Sequence, residues 1–355
     1  IDKIEIIKGP GTLLYGNNGF AGVVNIINPL IAVDKPITDQ NIETNFGYRT
    51  SGGELKGSLK AAKSYDNFTV RVTGSGLSSG PYDLANVSTK QANSSKFSAS
   101  GGVGLTYNDG RNFFGFSLDK LEAVYSLPGE EGEENLTTLN PTRNTINIQS
   151  SLSRNNSYFN KLNLQGTVSE YSHAERTGSG NNHNIEFFND SYEFKTSLNH
   201  NSFIDSNEEG LFGFHFQSKD QGAQGAEESH LERTKTLSYA LFLLEDFNFD
   251  LFDVNIGGRI ESVNLKNTNN EKGFFPGAFS STVKKEFIEN NTAFLGFDFT
   301  QRAPNPVELF ANGPHHALEN FENGDSNLNV ESSYNVSLGY SYNNNFNNLK
   351  VETYY

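Results

Sequence analysis

The chain has 355 residues, 35% hydrophobic and 19% charged, with 29 Phe and 15 Tyr, no Cys, no Met and a formal net charge of −15. That much apolar surface excludes a compositionally disordered chain, and the missing Cys excludes disulfide scaffolds, thiolate metal sites and cysteine nucleophiles. The acidic balance is the wrong sign for nucleic acid; it suits a soluble acidic protein or a surface that meets cations.

A chain that opens on Ile1 and lacks Met reads as a fragment or a processed piece. No run approaches the ~18 apolar residues of a membrane-spanning helix. A membrane β-barrel stays open as a reading despite the low mean hydropathy, because only alternate residues of each strand face lipid.

The first segment, IEIIKGPGTLLYGNNGFAGVVNIIN (Ile4–Asn28), reads as strand, glycine-punctuated turn and strand. Its runs Ile4–Ile7 and Val23–Ile27 are apolar on both faces, which predicts strands buried on both sides. It lacks the Lys-Ser/Thr ending of a phosphate loop. Pro29 and Pro36 then punctuate a linker.

From about residue 41 the period is two. Phe97, Ala99, Gly101, Val103, Leu105 and Tyr107 alternate with Ser98, Ser100, Gly102, Gly104 and Thr106. The pattern returns at Ile42–Tyr48, Leu55–Ala61, Phe68–Gly74, Phe114–Leu118, Ile146–Leu152, Leu162–Val168, Tyr192–Leu198, Leu211–Ser218 and Leu237–Leu243. It continues at Phe252–Glu261, Ala293–Phe299, Tyr334–Tyr342 and Leu349–Tyr355, with a poorly alternating stretch at Ser281–Glu286. About fifteen strands follow, joined by Asn/Gly/Asp/Ser-rich turns. Short connections, such as Tyr107–Asn112 and Asn248–Leu251, alternate with long polar ones at Ser78–Lys96, Glu122–Arg143, Tyr171–Phe187, Lys219–Thr234, Lys266–Phe279 and Gln301–Glu331. Aromatics near strand ends, among them Phe113, Phe114, Phe247, Phe249, Phe274, Phe275, Tyr354 and Tyr355, fit the girdles of a membrane barrel.

The opening segment resembles the C-terminal end of the plug of TonB-dependent outer-membrane receptors. The matching residues are Glu5, Lys8, Gly9, Pro10, Leu14, Tyr15, Gly16, Gly22, Asn25 and Ile27, with Ala21 standing where that family usually has Gly. A second stretch, Arg302–Tyr340, resembles a barrel signature of the same family. Within it Gly313, Pro314, His315, Ala317, Phe321, Glu322, Gly324 and Asp325 resemble the zinc-uptake (ZnuD-like) branch, with Leu318 where Thr is usual. Tyr125–Glu134 and Tyr171–Gly178 look like loops of that branch, but Glu130, Glu131, Glu133 and Glu134 stand without the His that it often carries.

The resemblance implies an all-β fold, a transmembrane antiparallel β-barrel of 22 strands in the family, of which about fifteen are present here, with part of a lumen plug. It divides the chain into the plug end (1–30), a linker (31–40) and an incomplete barrel (41–355). About seven strands, most of the plug and the TonB box are then expected beyond the two ends, and the segment alone is not expected to insert as a working receptor. The implied place is the outer membrane of a Gram-negative bacterium. The implied mechanism is transport: extracellular loops bind cargo, and TonB, driven by ExbB/ExbD, remodels the plug. Partners are TonB, outer-membrane lipid and the cargo, with no intrinsic cofactor. Zinc or another metal or metal-chelate leads as cargo; haem or a siderophore (ferric chelate) is the alternative, then a passive porin or adhesion barrel. No Ser–His or Asp–His constellation suggests an enzyme.

Candidate cargo ligands are His and carboxylate, the ordinary donors for zinc. They are His315, His316 and Glu322, near Glu319 and Asp325; His173, with Glu170 and Glu175; and His183. His230 sits beside Glu227, Glu228 and Glu232. Converging loops would bring these together; the alternative is solvated loop histidines, or His315 as an axial haem ligand. His215 is expected to line the lumen and His200 a rim. Arg302 and Glu308 are expected to brace the wall.

Overall fold

The computed structural model describes residues 3–7, 12–16, 22–33, 40–86, 88–128, 136–154, 158–177, 183–202, 209–225, 231–315, 320–344 and 347–355. Strands β1 (Lys3–Ile7) and β2 (Val23–Ile27) pair antiparallel, with the one-turn helix α1 (Thr12–Tyr15) between them in sequence. Ile4 faces Ile26 and Ile6 faces Val24 across this ladder, and all four are exposed. The expected burial on both faces is therefore corrected. A ladder of two strands covers only edges, and no described element lies over this face.

The large sheet has 16 strands in antiparallel order. They are β3 (Asn41–Arg49), β4 (Glu54–Tyr65), β5 (Phe68–Ser79), β6 (Lys96–Asn108), β7 (Phe113–Ser126), β8 (Thr137–Ser153), β9 (Phe159–Thr177) and β10 (His183–Asn201). There follow β11 (Glu209–Gly225), β12 (Thr234–Phe249), β13 (Phe252–Lys266), β14 (Glu271–Phe274), β15 (Gly277–Ile288), β16 (Asn291–Arg302), β19 (Glu331–Asn343) and β20 (Asn348–Tyr354). Each strand pairs with the next, except that β14 branches off β13, which pairs onward with β15. Between β16 and β19 lie helix α2 (Pro306–Phe310) and a separate hairpin of β17 (Asn312–His315) and β18 (Asn320–Asn323).

Burial is inverted relative to a water-soluble sheet. On one face Phe97, Val103, Leu105, Ile146, Ile148, Tyr192, Phe194, Leu241 and Leu338 are exposed. On the other, Thr106, Ser117, His215, Arg259, Glu261, Ser280 and Asp298 are buried. Apolar outside and polar inside is the arrangement of a wall surrounded by hydrocarbon. Phe113 departs from the girdle expectation, for it is buried and packs inward beside Gly115, while Phe114 points out.

The N-terminal segment lies on the inner face. Arg71 donates to the Pro29 carbonyl (2.8 Å), the Ala32 amide donates to Thr106 Oγ1 (3.0 Å) and Asn108 Nδ2 donates to the Val33 carbonyl (2.9 Å). Glycine makes the contact possible: a Cβ on Gly104 would stand 1.9 Å from the Leu30 carbonyl oxygen.

The strands reach further than their alternation. β9 and β10 have 19 residues each, about twice what a tilted crossing strand needs. Above the lipid both faces are wet, so side chains stop alternating while the backbone ladder continues. The expected loop Tyr171–Phe187 is accordingly mostly strand: His173 is paired with both Pro141 and Phe187. The connections still alternate, tight at 66–67, 109–112, 250–251 and 289–290 on one rim and long at 80–95 and 303–330 on the other.

Candidate functional site

Two places on the inner face collect functional side chains. The first holds the Leu14-Tyr15-Gly16 motif. Leu13 is fully buried, with its Cδ1 where a Cβ on Gly257 would be (2.3 Å). The last carbonyls of α1 have no helical partner. Lys195 Nζ donates to the Leu14 carbonyl (2.7 Å) and Arg259 Nη1 to the Leu13 carbonyl (3.4 Å). Cations suit a helix C-terminus. Lys195 also lies 5.1 Å from the Tyr15 ring centroid. Gly16 ends the turn at φ +93°, with Arg259 and His215 beside it. Partial burial raises the Tyr15 phenol above its ordinary range, with the Glu5 carboxylate adding to the effect.

The wall beneath is a charge network. His215 Nε2 is 2.9 Å from Glu193 Oε1, its Nδ1 3.1 Å from Arg259 Nη2, and Arg259 forks onto Glu261 (2.8 and 3.0 Å). Since the guanidinium only donates, His215 Nδ1 accepts and Nε2–H donates to Glu193. His215 lines the inner face as its alternation predicts. Glu5 and Asn25 of the motif are cross-strand partners joined by a 3.0 Å hydrogen bond. Gly22 takes φ +128° with the Ile7 carbonyl 3.3 Å from its Cβ position. Gly9 and Pro10 lie outside the described residues.

The second place is the rim with the long connections. His173 and Glu175 project from β9 on the inner face, and Phe187 from β10 directly opposite His173. The rings of His173 and Phe187 are stacked, 4.9 Å apart and 11° from parallel. His315 of β17 approaches Phe187 from elsewhere, at 6.1 Å and 46°. Glu322 of β18 accepts from His315 Nδ1 at 2.8 Å, and Glu175 lies 3.5 Å from His173 Nε2. Residues from two separated stretches of chain thus meet around one aromatic ring. Phe187 escaped the sequence reading; its only signal is its position as a cross-strand neighbour of His173, which requires the register.

Other candidates do not join. Glu170 is on the opposite, outer face of β9, beside Asp190 and Asp220 in one cross-strand row. His183 begins β10, but its side chain lies outside the described residues. His316, Glu319, His230, Glu227, Glu228 and Glu130–Glu134 also lie outside them. His200 ends β10 but is buried, stacked on Tyr158 and 3.3 Å from Glu245. No group of three or more metal donors is assembled among the described residues.

The fold is one that known proteins share. Residues 91–355 match the family described as "TonB dependent receptor-like, beta-barrel". The chain belongs to the TonB-dependent receptor β-barrel family. Its fold is similar to the copper transporter OprC (TM-score 0.77, 15% identity, 98% of this chain and 57% of that one). It is also similar to the FrpB iron transporter from Neisseria meningitidis (TM-score 0.74, 11% identity, 96% and 59%). A third similar structure is the siderophore receptor PirA from Pseudomonas aeruginosa (TM-score 0.71, 14% identity, 99% and 61%). The chain therefore spans less than two thirds of the length of these structures.

In this TonB-dependent receptor chain the long 303–330 connection is itself braced. Arg302 grips Glu308 through both carboxylate oxygens (2.9 and 3.0 Å) and reaches Glu331 (2.8 Å). Asn305 caps α2 and Glu308 bonds back to the Asn305 amide, a complete capping box. The expectation that Arg302 and Glu308 brace the wall agrees with these contacts. Arg302 holds the Glu308 carboxyl below its ordinary range, and the Asn305 amide helps.

Proposed function

We propose that the chain is part of an active outer-membrane transporter that takes up a metal ion or metal-chelate, with zinc the leading cargo. One observation carries the reading: two His–carboxylate pairs, His173–Glu175 and His315–Glu322, flank Phe187 on the inner face at the long-connection rim. Imidazole beside carboxylate is borderline-soft N/O chemistry suited to zinc and its neighbours. The chain's net charge of −15 favours cation approach.

In this reading the long connections face outward from the cell and the apolar belt meets outer-membrane lipid of a Gram-negative bacterium. TonB, energised by ExbB/ExbD, acts through the plug region. The pull dislodges α1 from Lys195 and Arg259, and cargo passes the inner face. Residues 1–30 act as the plug end, 31–40 as the linker and 41–355 as the barrel wall. The similarity to copper, iron and siderophore transporters supports the class and leaves the cargo to experiment.

The test is calorimetry of zinc with the full-length receptor against a His173→Ala/His315→Ala variant, with haem as competitor. Saturable zinc binding that the variant loses supports the cargo and both histidines. Haem or a ferric chelate binding in place of zinc replaces the cargo and keeps the receptor class.

A further inference from the structure

We propose that Phe187 is the specificity-determining gate of the rim cluster: its ring holds His173 and His315 apart, and a divalent ion binds when the ring swings out and the two imidazoles close on it. This deepens the metal reading above and rests on it.

The carboxylates are the first argument. Glu322 holds His315 through Nδ1, and Glu175 faces His173 at Nε2. An imidazole engaged by a carboxylate at one nitrogen is oriented and made more basic, and ligates through the other. Glu175 and Glu322 are therefore positioning residues rather than ligands. His173 is left to ligate through Nδ1, and His315 would ligate through Nε2. His173 Nδ1 is buried and has no hydrogen-bond partner among the described residues. An orphaned nitrogen of this kind is costly, and a bound ion would satisfy it.

The second argument is what occupies the space. His173 lies flat on Phe187, and His315 meets the same ring at 6.1 Å and tilted by 46°. Zinc–imidazole bonds are about 2.0–2.1 Å, so two histidines sharing an ion leave no room for a phenyl ring between them. The structure matches a gate in its closed position, with its donors unassembled.

The third argument is freedom to close. His173, Glu175 and Phe187 stand on strands paired on both edges. His315 and Glu322 instead stand on a hairpin of four-residue strands that, among the described residues, pairs with no other sheet. That hairpin can carry its His–Glu pair inward as one unit once the ring leaves.

The test uses the full-length receptor in detergent, titrated with Zn²⁺ by calorimetry and with Co²⁺ followed by visible absorption. Losing one stacked aromatic contact should make Phe187→Ala bind Zn²⁺ about three- to tenfold more tightly than wild type. Its Co²⁺ spectrum should keep the wild-type shape, since the donors are the same. Phe187→Tyr, which retains the ring, should bind as wild type. A merely structural role for Phe187 predicts weaker binding in Phe187→Ala, and unchanged or weaker binding overturns the gate. If the wild type binds neither ion, the metal reading falls and the gate with it. If it binds through His173 and His315 with no response to Phe187→Ala, only the gate falls.

Discussion

The ammonium of Lys195 donates a 2.7 Å hydrogen bond to the carbonyl oxygen of Leu14, 181 residues away in sequence. A hydrogen bond from a charged donor to a helix-end carbonyl is worth about 1.5–3 kcal/mol. Lys195→Met keeps most of the apolar stem and removes the donor. Amide exchange across 12–16 in the full-length receptor should then accelerate about tenfold or more. Exchange at the wild-type rate would mean that Leu13 packing and the Arg259 contact hold α1 without Lys195.

Gly104 tests the close approach of residues 29–33. Its Cβ position is 1.9 Å from the Leu30 carbonyl oxygen, and backbone cannot yield as a side chain does. Gly104→Ala should destabilise by about 1–3 kcal/mol, as overpacking does. Gly74, on the neighbouring β5, has nothing within 4 Å of its Cβ position. Gly74→Ala is therefore the matched control, and unfolding midpoints of the two variants should separate. Equal midpoints would place residues 29–33 away from the wall.

Acid should loosen the 303–330 connection. The Glu308 carboxyl is held below its ordinary value, chiefly by Arg302. Its stabilising contribution is therefore complete above the ordinary carboxylate pKa of about 4.3 and is lost as pH falls through the lowered folded value. Amide exchange around α2 should rise across that window, and Glu308→Gln should show raised exchange at neutral pH with little acid response. An unaltered acid response in Glu308→Gln would assign it to another carboxylate.

On the outer face Glu170, Asp190 and Asp220 stand directly opposite one another on three strands. Only Asp220 has Arg233 forked onto it (2.7 and 3.0 Å). Like charges in register repel. Asp190→Asn should raise stability by about 0.2–1 kcal/mol, while Arg233→Gln should lower it. Chemical unfolding at low and moderate salt checks both, and the difference should shrink as salt screens the row.

All the strands of the large sheet except β14 and the poorly alternating β15 were legible as alternation, at Phe97–Tyr107 as at Tyr334–Tyr342, because lipid-facing and inner positions differ in polarity. The upper halves of β9 and β10 were not legible. There Tyr171, His173 and Glu175 face the inside and Glu170 and Ser172 the outside, and water permits polar residues on both sides. The small hairpins β14 and β17–β18 were hidden for a related reason: four-residue strands are too short to show a period.

The sequence by itself determined the architecture and the barrel family, because period-two alternation and the Arg302–Tyr340 stretch are local properties of the chain. It also picked out His173 and His315 as candidate ligands. Only the tertiary structure decided that these two meet at Phe187, that Glu170 is turned away from them, and that Leu13 and Leu14 rest on Arg259 and Lys195. Those relationships depend on strand register and on which face of the wall a residue takes. A shift of one residue reverses every face, and only the paired sheet fixes that register.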